Sequence, residues 1–121
     1  MTVGIQGVHV IADFYNCEAD LDNLELIKNI CIEAVRVSKA TIIGDNFHKF
    51  EPLGVTGILL LQESHLSIHT WPEENEKFAA IDFYTCGNCD PQQGIEYLKK
   101  ALKAEEANIQ VINRGKKEQD Q

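Results

Sequence analysis

Glu63-Ser64, followed at once by His65 and then by Ser67, His69 and Thr70, is where this chain concentrates its chemistry. The stretch emerges from an apolar run, Leu59-Leu60-Leu61. Carboxylate, hydroxyl and imidazole groups placed so abruptly beside such a run must find hydrogen-bond partners or be put to use. A serine hydroxyl lies close to the carbonyl carbon of the residue before it. Where the backbone is strained, the hydroxyl can attack that carbonyl and replace the amide by an ester. A base that removes the serine α-proton then eliminates the ester and leaves dehydroalanine, which hydrolyses to a pyruvoyl group. Such a site needs a small hydroxyl residue, a general base and donors for the oxyanion. Ser64 supplies the first, and His65 and His69 are the candidate bases. The same groups would also serve as satisfied polar residues of an ordinary strand, and spacing alone favours that plainer reading. In an extended chain His65, Ser67, His69 and Trp71 share one face, and Ser64, Leu66, Ile68 and Thr70 share the other. That parity sets Ser64 apart from His69 unless the chain bends or breaks at residue 64.

Cys86-Gly87-Asn88-Cys89 is a C-x-x-C between a predicted strand and a predicted helix, which invites a redox or a zinc reading. Zinc needs two further ligands, which His65 and His69 supply only if the fold brings them over. The plainer use is a single thiol, Cys86, as a proton donor. A thiol, with an ordinary pKa of about 8.5, is suited to protonating a carbanion-like centre at neutral pH. Cys17 and Cys31 read as structural, His9 and His48 as hydrogen-bonded strand histidines, and Trp71 as packing.

The elements that must carry these groups fit one domain. The chain has 121 residues, 44% hydrophobic and 25% charged, which suits a single hydrophobic core. A net charge of −8 argues against nucleic acid or an anionic membrane surface as the main partner. No charged segment with a following apolar block opens the chain, and no apolar run reaches membrane-spanning length. The expected compartment is the cytoplasm, with the four cysteines reduced. A first strand is expected over Gly7 to Phe14. Apolar residues from Leu21 through Leu24, Ile27, Ile30, Cys31, Ala34, Val35 and Val37 recur at helical spacing. Lys39 to Phe50 reads as a second strand, Val55 to Leu61 as a third and Phe78 to Thr85 as a fourth, with Pro72 and Glu73-Glu74-Asn75-Glu76 as a turn. Pro91 opens a second helix that ends near Lys103. Asn108 to Ile112 is a short closing strand, and residues 115–121 a frayed tail. The pattern predicts an α+β fold: a two-layer sandwich with one mostly antiparallel sheet and two helices on one face. The other face needs a cover, and a homodimer stacking its sheets is the economical one.

The motifs resemble a known family. Glu63-Ser64-His65-Leu66-Ser67-Ile68-His69-Thr70-Trp71-Pro72-Glu73, Ala79-Ala80-Ile81-Asp82 and Thr85-Cys86-Gly87 are similar to the bacterial and archaeal S-adenosylmethionine decarboxylase proenzymes, as are Gly7-Val8-His9, His48-Lys49-Phe50, Gly54-Val55-Thr56-Gly57 and Arg114-Gly115. The likeness covers residues 4–115. It implies self-cleavage between Glu63 and Ser64 into a β chain, residues 1–63, and an α chain, residues 64–121, whose first residue becomes the pyruvoyl group. His69 matches the family's processing base and Cys86 its catalytic proton donor. The pyruvoyl carbonyl would form a Schiff base with S-adenosylmethionine and act as the electron sink for loss of CO₂, with no metal and no pyridoxal phosphate. The product is the aminopropyl donor of spermidine synthesis. Glu73 matches a ribose-binding carboxylate and Phe50 an aromatic that stacks on adenine. The resemblance further implies an α/β sandwich with active sites at a dimer interface, (αβ)₂ after cleavage.

Thr56 stands where many relatives carry serine and keeps the hydroxyl. Residues 74–78 form a loop about two residues longer than the usual family form, and Cys89 is additional to the motif. The longer loop leaves room for a basic amino acid, arginine or ornithine, as the alternative substrate. Outside this chemistry the alternatives are a non-catalytic subunit that binds an active paralogue, and a zinc or thiol-redox module built on Cys86 and Cys89.

Overall fold

In a computed structural model, residues 7–86 and 88–115 are described. The element order is β1 (Gly7–Cys17), α1 (Leu24–Val37), β2 (Ile42–Lys49), β3 (Val55–Leu61), β4 (Ser64–Trp71), β5 (Phe78–Cys86), α2 (Pro91–Ala101) and β6 (Ala104–Arg114). The strands form one antiparallel sheet in the order β2-β3-β4-β5-β1-β6. Val10, Ala12 and Phe14 of β1, Leu66 and Ile68 of β4 and Ile81 and Phe83 of β5 alternate toward the two helices and are buried. Alternation of period two puts one side of β1, β3, β4 and β5 in the core. Ile27, Ile30, Cys31, Ala34 and Val35 of α1 and Ile95 and Leu98 of α2 close over them. Each large side chain so buried contributes roughly 2 kcal/mol. The helices meet where Gly94 passes Ser38. A Cβ at residue 94 would lie 2.8 Å from the Ala34 carbonyl oxygen, so only glycine allows this approach.

Local signals explain the helix ends. The Asn23 side chain accepts a hydrogen bond from the Leu26 amide at 3.1 Å and caps α1, so the helix starts at Leu24 and not at Leu21, which is buried just ahead of it. Pro91 stands at the start of α2, Lys99 and Lys100 in its last turn, and the helix stops at Ala101.

The predicted α+β sandwich with two helices on one face is the observed fold. Several strand boundaries differ from the sequence reading. The first strand runs on to Cys17. The second starts at Ile42 rather than Lys39, after a turn that follows α1. Ser64–Trp71 is a complete central strand of its own, because a two-residue turn at Gln62-Glu63 folds the apolar run back on itself. The closing strand extends over Ala104–Arg114, because pairing with β1 from Gly7 to Cys17 supplies hydrogen bonds that its sequence does not advertise. Of the expected tail, residues 116–121 lie outside the described residues, as does Gly87.

The side of the sheet away from the helices is uncovered. It carries Ile58, Leu60, Trp71 and Ile112, each at least 40% exposed. The register also puts all four histidines on this side: His9 pairs with Tyr84, His65 with Tyr84, and His48 and His69 with Thr56.

Candidate active site

Ser64 begins β4 directly after the Gln62-Glu63 turn, and the turn is what makes it unusual. Glu63 has φ +70°, the left-handed region that costs a residue with a Cβ about 1–2 kcal/mol. The Gln62 amide donates to the Thr41 carbonyl at 2.9 Å, tying the turn to the segment before β2. The Ser64 hydroxyl is directed at the carbonyl oxygen of Glu63. A strained residue, a rigidly held turn and a hydroxyl against the preceding carbonyl are the local conditions for acyl transfer from nitrogen to oxygen.

Ser64 lines a cleft of about 230 Å³ with Cys86, Cys89, Asn88, Thr41 and Lys39. Cys86 ends β5, the strand beside β4, and the His65–Tyr84 pair lies just inside both. Lys39, Thr41 and Asn88 are lining residues that no motif announces. They come from a helix-strand turn and from the β5–α2 turn, and only tertiary folding brings them here.

Among the described residues no cluster of three or more metal-ligating side chains exists, and the two C-x-x-C sulfurs are not joined by His65 or His69. The four cysteines are free thiols. Burial pushes Cys17 up to about 11 and Cys31 up to about 12, which makes both inert, as their structural reading requires. Burial, then the neighbouring Cys86, also raises the Cys89 thiol.

A second group of motif residues assembles at the other end of the central strands. Thr56 Oγ1 lies 3.1 Å from His69 Nδ1 across the β3–β4 pair. These two line a cleft of about 300 Å³ with Phe50, Trp71, Thr70 and Glu73. Phe50 is edge-on to His48 with ring centroids 4.6 Å apart. The turn that follows Glu73 is tight: its carbonyl accepts from the Glu76 amide at 2.8 Å and the Lys77 amide at 2.9 Å, and Lys77 Nζ lies 3.3 Å from Glu74 and 3.6 Å from Glu18. The extra residues of 74–78 therefore fold onto themselves and β1 rather than across the cleft. On the opposite wall, Asp22 accepts from the Gly54 amide at 2.8 Å and pairs with Lys49 at 3.1 Å, which fixes the Phe50–Gly54 turn. The Gly54 hydrogen bond and then Lys49 hold the Asp22 carboxyl below its ordinary pKa.

Within one chain these two groups do not meet. His69 is five residues from Ser64 along one strand, roughly 17 Å at about 3.3 Å per residue, and its parity is the opposite one. His65 is adjacent to Ser64 but faces Tyr84 and His9, at ring-centroid distances of 6.2 and 6.1 Å. His9 is hydrogen-bonded, as its strand reading predicts, with Nε2 3.3 Å from Asp82. Arg114 reaches His9 Nδ1 at 3.4 Å and lies over the Tyr84 ring. This polar row escaped the sequence reading because its members come from four strands.

Residues 8–115 match the family described as S-adenosylmethionine decarboxylase. An S-adenosylmethionine decarboxylase proenzyme of Thermotoga petrophila is 46% identical over 91% of this chain and 85% of its own length. One of Thermococcus onnurineus is 39% identical over 95% of this chain and 82% of its own. The crystal structure of the adenosylmethionine decarboxylase from Aquifex aeolicus superposes with a TM-score of 0.83 at 36% identity, covering 97% of both chains.

Proposed function

This chain belongs to the S-adenosylmethionine decarboxylase family, and from that premise we propose that it cleaves itself at Glu63-Ser64 and decarboxylates S-adenosylmethionine at a site completed by a second copy of the chain. The observation that carries the reading is the Glu63-Ser64 turn: a residue held at φ +70° with the next hydroxyl against its carbonyl, in a cleft shared with Cys86. Attack of the Ser64 hydroxyl on that carbonyl relieves the left-handed residue and gives an ester between β chain and α chain. Loss of the Ser64 α-proton and elimination of the ester free residues 1–63 with a terminal carboxylate and leave dehydroalanine at residue 64; water adds to its imine tautomer and ammonia departs, which leaves a pyruvoyl group. The residues present fit that group: it needs no metal, and its carbonyl would open into the cleft beside a thiol. When formed, it supplies the electron sink that takes up the bonding pair of the departing carboxyl group. Cys86 then delivers its sulfhydryl proton to the α-carbon.

The base for the α-proton is His69, from the partner subunit. Its own chain holds it roughly 17 Å from Ser64 along the strand, whereas the uncovered sheet face, on which His69 itself lies, offers a second copy a place to stack. A two-fold axis lying in that interface and perpendicular to the strands reverses their direction. It sets the Ser64 end of one sheet against the His69 end of the other. Thr56, bonded to His69, orients the ring. Phe50 and Glu73 line the His69 cleft and so join the same composite site. An aromatic face suits adenine and a sulfonium, and a carboxylate suits a ribose diol. The tight turn after Glu73 leaves this cleft open to a nucleoside, which favours S-adenosylmethionine over arginine or ornithine. Free thiols and an acidic chain suit a cytoplasmic enzyme working on a cationic small molecule rather than on nucleic acid or a membrane; no helix among the described residues is long and apolar enough to cross one. The test has two parts. Intact mass of the purified protein is expected to show two chains, divided after residue 63. CO₂ release is expected from S-adenosylmethionine and not from arginine or ornithine. One unbroken, active chain would overturn the mechanism, and turnover of a basic amino acid alone would overturn the substrate.

A further inference from the structure

Cys89 lines the Ser64 cleft, and neither proposed reaction draws on it. Its Sγ lies 3.6 Å from the Sγ of Cys86, its amide donates to the Cys86 carbonyl at 3.2 Å, and its thiol donates to the Lys39 carbonyl at 3.7 Å. The turn thus holds two partly buried thiols face to face, while the other two cysteines are buried apart in the core. We propose that Cys86 and Cys89 form a reversible disulfide by exchange with a low-molecular-weight disulfide, and that this bond switches decarboxylation off by withdrawing the Cys86 proton.

The exchange balances. The thiolate of one cysteine attacks a small disulfide RSSR, forms a mixed disulfide and expels RS⁻. The thiolate of the other attacks the protein sulfur of the mixed disulfide, forms the Cys86–Cys89 bond and expels a second RS⁻. The protein loses two electrons and two protons, and RSSR becomes two RSH. The sulfurs must close from 3.6 Å to about 2.05 Å, a displacement that side-chain rotation within a turn supplies. Once joined, Cys86 carries no S–H. The α-carbon then has no donor, while cleavage at Ser64, already complete, is untouched. Because burial holds the Cys89 proton more tightly than usual, closure is expected to quicken as pH rises.

The effect on turnover rests on the proposed function; formation of the bond does not. Cleaved protein is incubated with glutathione disulfide over a range of ratios to glutathione. Mass analysis of the peptide containing residues 86–89 is expected to show loss of two hydrogens. CO₂ release is expected to fall about a hundredfold or more, the usual worth of a general acid, and to return with dithiothreitol. Cys89→Ser is expected to keep basal turnover and to lose the sensitivity. Absence of an 86–89 disulfide overturns the proposal, as does a disulfide that leaves turnover unchanged or a Cys89→Ser variant inhibited equally. Should the protein decarboxylate nothing yet still form the bond, the thiol pair stands and the assigned activity fails.

Discussion

Glu63 and Ser64 carry the argument at the scale of the residue. The left-handed backbone at Glu63 stores about 1–2 kcal/mol, which the proposed acyl shift would release. Glycine adopts that conformation without the cost. Glu63→Gly is therefore expected to cleave more slowly, by about tenfold if about 1.4 kcal/mol of the strain is lost, as followed by the ratio of intact to cleaved chain over time. Faster or unchanged cleavage would show that the turn's strain plays no part. Ser64→Ala is expected to remain one inactive chain. Cys86→Ala is expected to cleave normally but to lose about a hundredfold or more of its decarboxylation. Fragments from Ser64→Ala protein would exclude this nucleophile. Ser64, Cys86 and the histidines are candidates that residue types and motif name without the structure. The strain was not legible in the sequence, because nothing in the letters Gln62-Glu63 demands a two-residue turn of positive φ, where glycine or asparagine is usual.

Among the elements, the informative failure of the sequence reading is β4. A long apolar-to-polar stretch reads as one strand followed by a reactive segment, whereas pairing of Leu61 with Ser64 and of Thr56 with His69 makes it a hairpin. The parity drawn from sequence survives this change, and the length of β4 now holds His69 away from the Ser64 of its own chain. The helices were easier, because their apolar stripes are local. The loop ahead of α1 has its own consequence. Asp22 ties it to the Phe50–Gly54 turn through the Gly54 amide and Lys49. A carboxyl whose folded pKa is depressed contributes stability above its unfolded pKa and loses it as pH falls through the lower folded value. The tether is thus intact at neutral pH and is released only in acid, below the ordinary carboxyl range. Asp22→Asn removes the charge at every pH. It is expected to raise KM for S-adenosylmethionine several-fold with little change in kcat, and to flatten the acid limb of a thermal-melting profile. An unaltered acid limb would remove Asp22 from the account. Next to it, Asn23→Ala is expected to cost about 1 kcal/mol by uncapping α1, read from chemical denaturation.

For the whole molecule the question is what covers the sheet. Ile58 and Leu60 project from β3 on the uncovered side, and a charge there would have to be buried in any stacked pair. Leu60→Arg is expected to give a monomer by size-exclusion chromatography and, for want of the partner's His69, an uncleaved one; a cleaved monomer would refute the composite site. A sharper version mixes two defects. Co-expressed Ser64→Ala and His69→Ala chains are expected to restore one sound site per pair, so that the His69→Ala chain alone is cut. No cleavage in the mixture would mean that the two groups never meet across subunits. The sequence by itself singled out the candidate reactive residues, and it determined that two helices cover one face of an antiparallel sheet and which side of the central strands looks inward. Motif chemistry and periodicity are local properties of the chain. Only the tertiary structure decided that these reactive residues fall into two separate clefts, Ser64 with Cys86 and His69 with Thr56, and that Cys89 stands against Cys86. Those placements depend on strand register and on turns whose hydrogen-bond partners lie far away along the chain.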